Sequence, residues 1–191
     1  MTTTGVLLAA GGGSRFAGPT HKLLATVDGI AIVRRSLDNV LAAGLDHVVV
    51  VTGAVDLAVG VDLTAVEVVH NPKWEQGQAT SLHAGLAAAA VNGSEFAVVG
   101  LADQPFVPSS AWRAVATARS PAPIVVATYG GVRGPNPVRL HAAVWSQMPT
   151  DGDEGARSLM RLHPDWVNEV ACDGSAADID TLEDLTQWTS S

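Results

Sequence analysis

Apolar positions along the chain follow two alternating rhythms. Five short continuous runs, Gly5–Ala10, His47–Thr52, Val66–His70, Phe96–Ala102 and Ile124–Tyr129, are each followed by glycine, asparagine or aspartate. That pattern predicts buried strands feeding loops. Ile30–Gly44 and Gln78–Val91 have helical spacing or alanine-leucine richness, and Ser109 or Ser110 can cap a helix to about Ala118. Further on, Asn136–Leu140 predicts a short extended piece, Ala142–Met148 and Gly155–His163 predict helices, and Trp166–Ala171 predicts a last strand. A terminal helix over Thr181–Trp188 is signalled by Thr181 as cap and Asp184 at the third helical position. Strands separated by helices imply an α/β fold with a mostly parallel sheet covered on both faces. Ligands bind such sheets outside the carboxyl ends of the strands. No repeat, linker or shift in composition divides the chain, so one domain over 1–191 is expected.

Composition narrows this picture. At 191 residues, 47% apolar and 16% charged, the chain can bury an ordinary aliphatic core. A net charge of -8 disfavours non-specific binding to nucleic acid or an anionic membrane. Cys172 is the only cysteine, so no internal disulfide can form. No apolar run reaches membrane-spanning length, and the first residues lack the basic region of a signal peptide. A cytoplasmic protein is expected. Against only 11 lysines and arginines, the pair Arg15 and Lys22 in the first loop stands out.

That loop runs Leu8, Ala9, Ala10, Gly11, Gly12, Gly13, then Arg15 and Lys22. Glycines after a strand let backbone N–H groups approach a phosphate, and the two cations can clamp it. A Walker A loop would need lysine after Gly18, where Pro19 stands, and a dinucleotide fingerprint from Gly11 would need glycine at Phe16. Asp103 follows a buried strand, where a carboxylate can hold a hard cation such as Mg²⁺ or simply cap a turn. Asp180, or alternatively Asp178, is available as a second ligand ahead of the terminal helix. Asp151–Gly155 lacks the glycine a calcium loop requires, since Ala156 stands there; no histidine spacing suits zinc, and no serine lies in a nucleophile elbow.

Taken in order, these elements resemble the molybdenum cofactor cytidylyltransferase family, within the MobA-like nucleotidyltransferases. The resemblance rests on Leu8–Gly11 with Arg15 and Lys22, Gly77–Leu82, Leu101–Pro105, Arg133–Val138, Gly152–Arg157 and Asp178–Leu185. It implies a Rossmann-like three-layer nucleotidyltransferase fold and transfer of CMP from CTP to the phosphate of molybdopterin, with release of pyrophosphate and a need for Mg²⁺. It also implies nucleotide contacts from Leu8–Gly13, Arg15, Lys22, Gln78, Thr80 and Ser81, and acceptor contacts from Arg133, Asn136 and Arg157. Arg15, Lys22 and Asp103 would be catalytic, with Asp103 and Asp180 on the metal. Transient contact with a molybdoenzyme would follow. Alanine at position 10 goes with cytidylyl transfer in this family, glycine with guanylyl transfer. Asn136 stands where the family has histidine, Leu182 where it has proline, and the Arg15–Lys22 spacing is about two residues longer.

The alternatives are guanylyl or other nucleotidyl transfer to a different phosphorylated acceptor, a nicotinamide-dependent reductase, and a silent nucleotide-binding chaperone. Two retained carboxylates argue against the last.

Overall fold

The computed structural model describes residues 1–189. Nine strands and five α-helices alternate along it. The strands are β1 (Thr3–Ala9), β2 (Thr26–Val27), β3 (Ile30–Ala31), β4 (His47–Thr52), β5 (Glu67–His70), β6 (Phe96–Leu101), β7 (Ile124–Tyr129), β8 (Val132–His141) and β9 (Val167–Cys172). The helices are α1 (Ile32–Leu41), α2 (Gln78–Val91), α3 (Ser109–Thr117), α4 (Arg157–Leu162) and α5 (Leu182–Thr189). A seven-stranded sheet has the order β5-β4-β1-β6-β8-β7-β9. All its pairings are parallel except those of β8, which runs antiparallel to both β6 and β7. The mostly parallel α/β architecture anticipated from the strand–helix alternation is therefore present.

Side chains alternate across the sheet and give two cores. On β1, Leu7 and Ala9 join Ile32, Leu37, Trp112 and Val115 on the face covered by α1 and α3. Val6, Leu8 and Ala10 join Leu82, Leu86, Leu159 and Met160 on the face covered by α2 and α4. Helix α2 is apolar nearly all round and lies close on β1. A Cβ added to Gly85 would stand 2.3 Å from Val6 Cγ1.

Several boundaries differ from the pattern, each for a local reason. The first helix starts at Ile32, because Ile30 and Ala31 pair with Thr26 and Val27 in a small hairpin. Its turn is Asp28-Gly29, both at positive φ (51° and 75°), a two-residue turn that only such residues favour. Asn136–Leu140 belongs to a ten-residue strand, β8, because Gly130-Gly131, at φ 58° and 80°, makes a second tight turn and folds β8 back on β7. Ala142–Gln147 is a 3₁₀ helix where an α-helix was expected, and the predicted helix over Gly155–His163 is confined to Arg157–Leu162. At the C-terminus the expected cap is present. Thr181 Oγ1 accepts from Asp184 N at 3.1 Å, and Asp184 Oδ2 accepts from Thr181 N at 2.8 Å.

The chain builds β1, β4 and β5 to one side and then crosses to β6 on the other side of β1. This reversal opens a crevice at the carboxyl ends of β1 and β6.

The close seat of α2 sets a prediction. Gly85→Val is expected to cost about 1–3 kcal/mol through overpacking against Val6. Ala90→Val, on the exposed side of the same helix, should change stability by less than about 0.5 kcal/mol. Thermal unfolding of both variants checks this.

Candidate active site

A cleft of about 440 Å³ fills that crevice. Leu8, Ala10, Gly11 and Gly12 come from the end of β1, Leu101 and Asp103 from the end of β6, and Gln78 and Ser81 from the start of α2. A smaller recess of about 20 Å³ shares Leu8 and Gln78 with the cleft and adds Asn136 and Arg157.

Beside the cleft, Lys22 Nζ donates to Asp103 Oδ2 at 2.5 Å and to Asp180 Oδ1 at 2.8 Å. Arg15 Nη2 lies 2.8 Å from Asp180 Oδ2. Lys22 is 9% exposed. Burial pulls its pKa down, but the two carboxylates outweigh it and hold the ammonium above its ordinary 10.5. Backbone bonds bring the carboxylates together. Ile179 N donates to Asp103 O at 2.9 Å, and the Ile179 side chain is wholly buried in the α1–α3 core. Asp178 and Asp180 flank this anchor, but only Asp180 meets Lys22. Asp178 Oδ1 accepts from Gln104 Nε2 at 2.7 Å. Its pKa is raised, by burial first and then by the charge of Asp103.

Asp103 Oδ1 is sealed from solvent and takes no hydrogen bond among the described residues. Such an orphan costs about 1–3 kcal/mol, and a hard cation is a fitting partner for it. Two carboxylates therefore fit a divalent metal that draws its other ligands from water and phosphate. Among the described residues no group of three or more His, Cys, Asp or Glu is placed to hold a metal by itself.

The glycine loop is fixed by a residue the sequence reading passed over. His21 Nδ1 accepts from Leu23 N at 3.3 Å, so Nε2 carries the proton and donates to Gly11 O at 3.1 Å. Burial lowers the His21 pKa, which keeps the ring in this neutral form. Other cleft residues carried no individual role in the sequence analysis. Trp74 stands over Gly12, where an added Cβ would come within 2.9 Å of its ring. Glu75 follows it on the same short turn. Asp153 lies in the acidic loop rejected as a calcium site, and its Oδ1 accepts from Gln78 N at 3.1 Å at the start of α2. That loop is clasped to the helix by Ala79 N donating to Gly152 O and Gly152 N to Gln76 O. Gly77 permits the clasp, with φ at 107° and space for a Cβ closed by Gly152 O at 2.5 Å.

The structure thus gathers Arg15, Lys22, Asp103 and Asp180, and lines the cleft with Leu8, Ala10, Gly11, Gly12, Gln78 and Ser81. Ala9 points into the opposite core, and Gly13 stands back from the cleft against Lys22 and His21. Thr80 is committed to the backbone, its hydroxyl donating to Gly77 O or Lys73 O and accepting from Asn71 Nδ2. Arg133 is paired with Glu169 of β9 at 2.5 Å and lines neither the cleft nor the recess.

The chain belongs to the MobA-like NTP transferase domain family, which it matches over residues 5–187. This places it among nucleotidyltransferases, the class that the resemblance of its motifs implied. Its structure is similar to that of Rv0371c from Mycobacterium tuberculosis H37Rv (TM-score 0.83, 28% identity, covering 100% of this chain and 98% of that one). The same protein in complex with manganese gives a TM-score of 0.82 at 28% identity, with 100% of each chain covered. The inositol-1-phosphate CTP transferase from T. maritima shares the fold (TM-score 0.72, 21% identity, covering 99% and 97%). No curated protein matches the sequence. Among the described residues no helix is long and apolar enough to cross a membrane.

Removing the central cation should leave two facing carboxylates. Lys22→Met is expected to lower stability at pH 7 by roughly 2 kcal/mol, less than a sealed ion pair because both acids keep some solvent. The folded-state pKa of Lys22 is raised, so its contribution is complete below about pH 10.5 and fades as pH rises through the folded value. Denaturant unfolding of both proteins from pH 7 to 11.5 should show the gap closing only at the top of that range.

Proposed function

We propose that the chain is a single-domain, cytoplasmic cytidylyltransferase that moves CMP from CTP to the phosphate of molybdopterin and releases pyrophosphate. The observation that carries this reading is the convergence of Lys22 and Arg15 with Asp103 and Asp180 beside a glycine-walled cleft. The choice of CTP is supported by Ala10, which brings its methyl to the cleft wall, and by the family resemblance. The resemblance also supports molybdopterin as acceptor and contact with a molybdoenzyme.

The reaction asks little of the protein in proton transfer. A phosphate monoester has a second pKa near 6, so the acceptor oxygen is already ionised at neutral pH and no general base is needed. In-line attack on the α-phosphorus forms a new P–O bond and breaks the bond to pyrophosphate. The chain's task is positioning and charge. Gly11 and Gly12 let the triphosphate approach the backbone closely. An ammonium has three donors; two on Lys22 are taken by the carboxylates, and the third is free for phosphate. Arg15, largely exposed, uses one terminal nitrogen on Asp180 and has the rest for the leaving pyrophosphate. Glu75, Asp103 and Asp153 make the cleft wall acidic, so a triphosphate needs compensating charge to enter. A divalent metal on Asp103 and Asp180, Mg²⁺ in this reading, would supply that charge and polarise the phosphate. The engagement of Arg133 with Glu169 favours a second reading, in which the acceptor is a different phosphorylated molecule.

Pyrophosphate release with each NTP, Mg²⁺ or Mn²⁺, and molybdopterin tests the proposal. Turnover with CTP is expected, and its absence with every NTP would sink it. Asp103→Asn should reduce kcat at least a hundredfold with the fold retained by circular dichroism; near-normal turnover would make Asp103 a turn cap. Ala10→Gly should shift the kcat/KM ratio towards GTP by about tenfold, since one methyl is worth about 1–3 kcal/mol of discrimination. An unchanged ratio would remove Ala10 from base selection.

A further inference from the structure

Next to Asp103, Gln104 is 2% exposed and all of its polar atoms are engaged. Its Nε2 donates to the Ala176 carbonyl at 3.0 Å and to Asp178 at 2.7 Å. A backbone carbonyl can only accept, so the Ala176 carbonyl fixes which end of this amide is nitrogen. Its Oε1 is left to accept, and does so from Asn136 Nδ2 at 3.2 Å. That contact in turn fixes the second amide, because Oε1 cannot bond to another carbonyl oxygen. Asn136 Oδ1 is thereby turned away from Gln104. It takes no hydrogen bond among the described residues and is not among the atoms sealed from solvent. Asn136 lines the small recess off the cleft, beside Gln78, Glu154 and Arg157.

A recess of about 20 Å³ admits about one water-sized group. With Asn136 in its lining, the oxygen turned away from Gln104 would reject a phosphate or carboxylate oxygen there and reward an O–H or N–H. We propose that Gln104 is a positioning residue that holds Asn136 with its oxygen facing the recess, and that the recess takes one hydroxyl or amino group of the nucleotidyl acceptor. The acceptor phosphate then lies in the main cleft. The chemical class of acceptor this selects is a phosphate monoester that carries a hydrogen-bond donor elsewhere on its body. A site that hydrogen-bonds such a group discriminates strongly against analogues lacking it, because an oxygen covered by the bound analogue would be left unpaired.

The inference rests on the nucleotidyltransferase reading for its ligand, but not for the amide relay, and two measurements separate them. In the wild type, nuclear magnetic resonance should show the Asn136 side-chain amide protons slow to exchange with water, and Gln104→Met should make them fast. Free exchange in the wild type would overturn the relay whether or not the protein turns over. In pyrophosphate-release assays with CTP and molybdopterin, Asn136→Leu and Gln104→Met should each raise the acceptor KM about tenfold while the KM for CTP changes less than twofold. Asn136→Ser, which restores a small oxygen at the recess, should recover part of the loss. A rise in the KM for CTP instead would assign the recess to the nucleotide and overturn the proposal. A fall in kcat alone would reduce Gln104 to a structural residue and overturn it equally. No pyrophosphate from the wild type would sink the functional reading, and with it the acceptor assignment, while the exchange result still decides the relay.

Discussion

The ammonium of Lys22 joins chain segments that lie 81 and 158 residues apart, through Asp103 and Asp180. That one group holds the glycine loop, the end of β6 and the approach to α5 to one point. Remove the cation and the edge becomes a row of acids, since Asp103, Asp178 and Asp180 sit together and raise the cost of ionising Asp178. Place a stronger cation there and Lys22 becomes available for another anion. The same contact that stabilises the resting protein is thus poised to be exchanged, and its partial exposure keeps the exchange inexpensive. Both acids are held by backbone, not by Lys22 alone, so they stay in place when it moves.

Much of this arrangement was legible because parallel strands and their exits have simple signatures. The runs at His47–Thr52 and Phe96–Ala102 could hardly be anything but buried strands, and Asp103 at the end of one of them drew attention on position alone. Thr181 and Asp184 announced their helix through reciprocal capping. The parts that stayed hidden depend on contacts between distant segments. Asp-Gly at 28–29 and Gly-Gly at 130–131 are hairpin turns, but β2 and β3 are only two residues each and β8 is too polar to show an alternating pattern. Asp153 looked like a failed calcium ligand because its true partner, the first N–H of α2, is 75 residues away in sequence. Arg133 looked available because nothing in the sequence marks Glu169 as its neighbour.

Gln104 shows the limit from the other side. It sits next to the aspartate that sequence reasoning selected, yet no pattern distinguishes a buried glutamine from an exposed one. Its importance appears only when the hydrogen-bond directions are followed from the Ala176 carbonyl outward. An amide in the interior has a definite sense of direction, and the Ala176 carbonyl, which can only accept, passes that sense through Gln104 to Asn136, 32 residues further along the chain.

The reversed strand β8 has a consequence for how such a protein can diversify. In a purely parallel sheet every connection at the ligand edge leads into a helix, so lengthening one disturbs the packing beneath it. The last β6–β8 pair is Val99 with Val138, and β8 begins six residues before it, at Val132, so the hairpin through Gly130-Gly131 runs on for roughly 20 Å of extended chain. Near the tip its two strands pair with each other, and β7 pairs with β9. Insertions at that tip would lengthen the carboxyl edge of the sheet and leave both cores untouched, which makes this turn a natural graft point for new specificity.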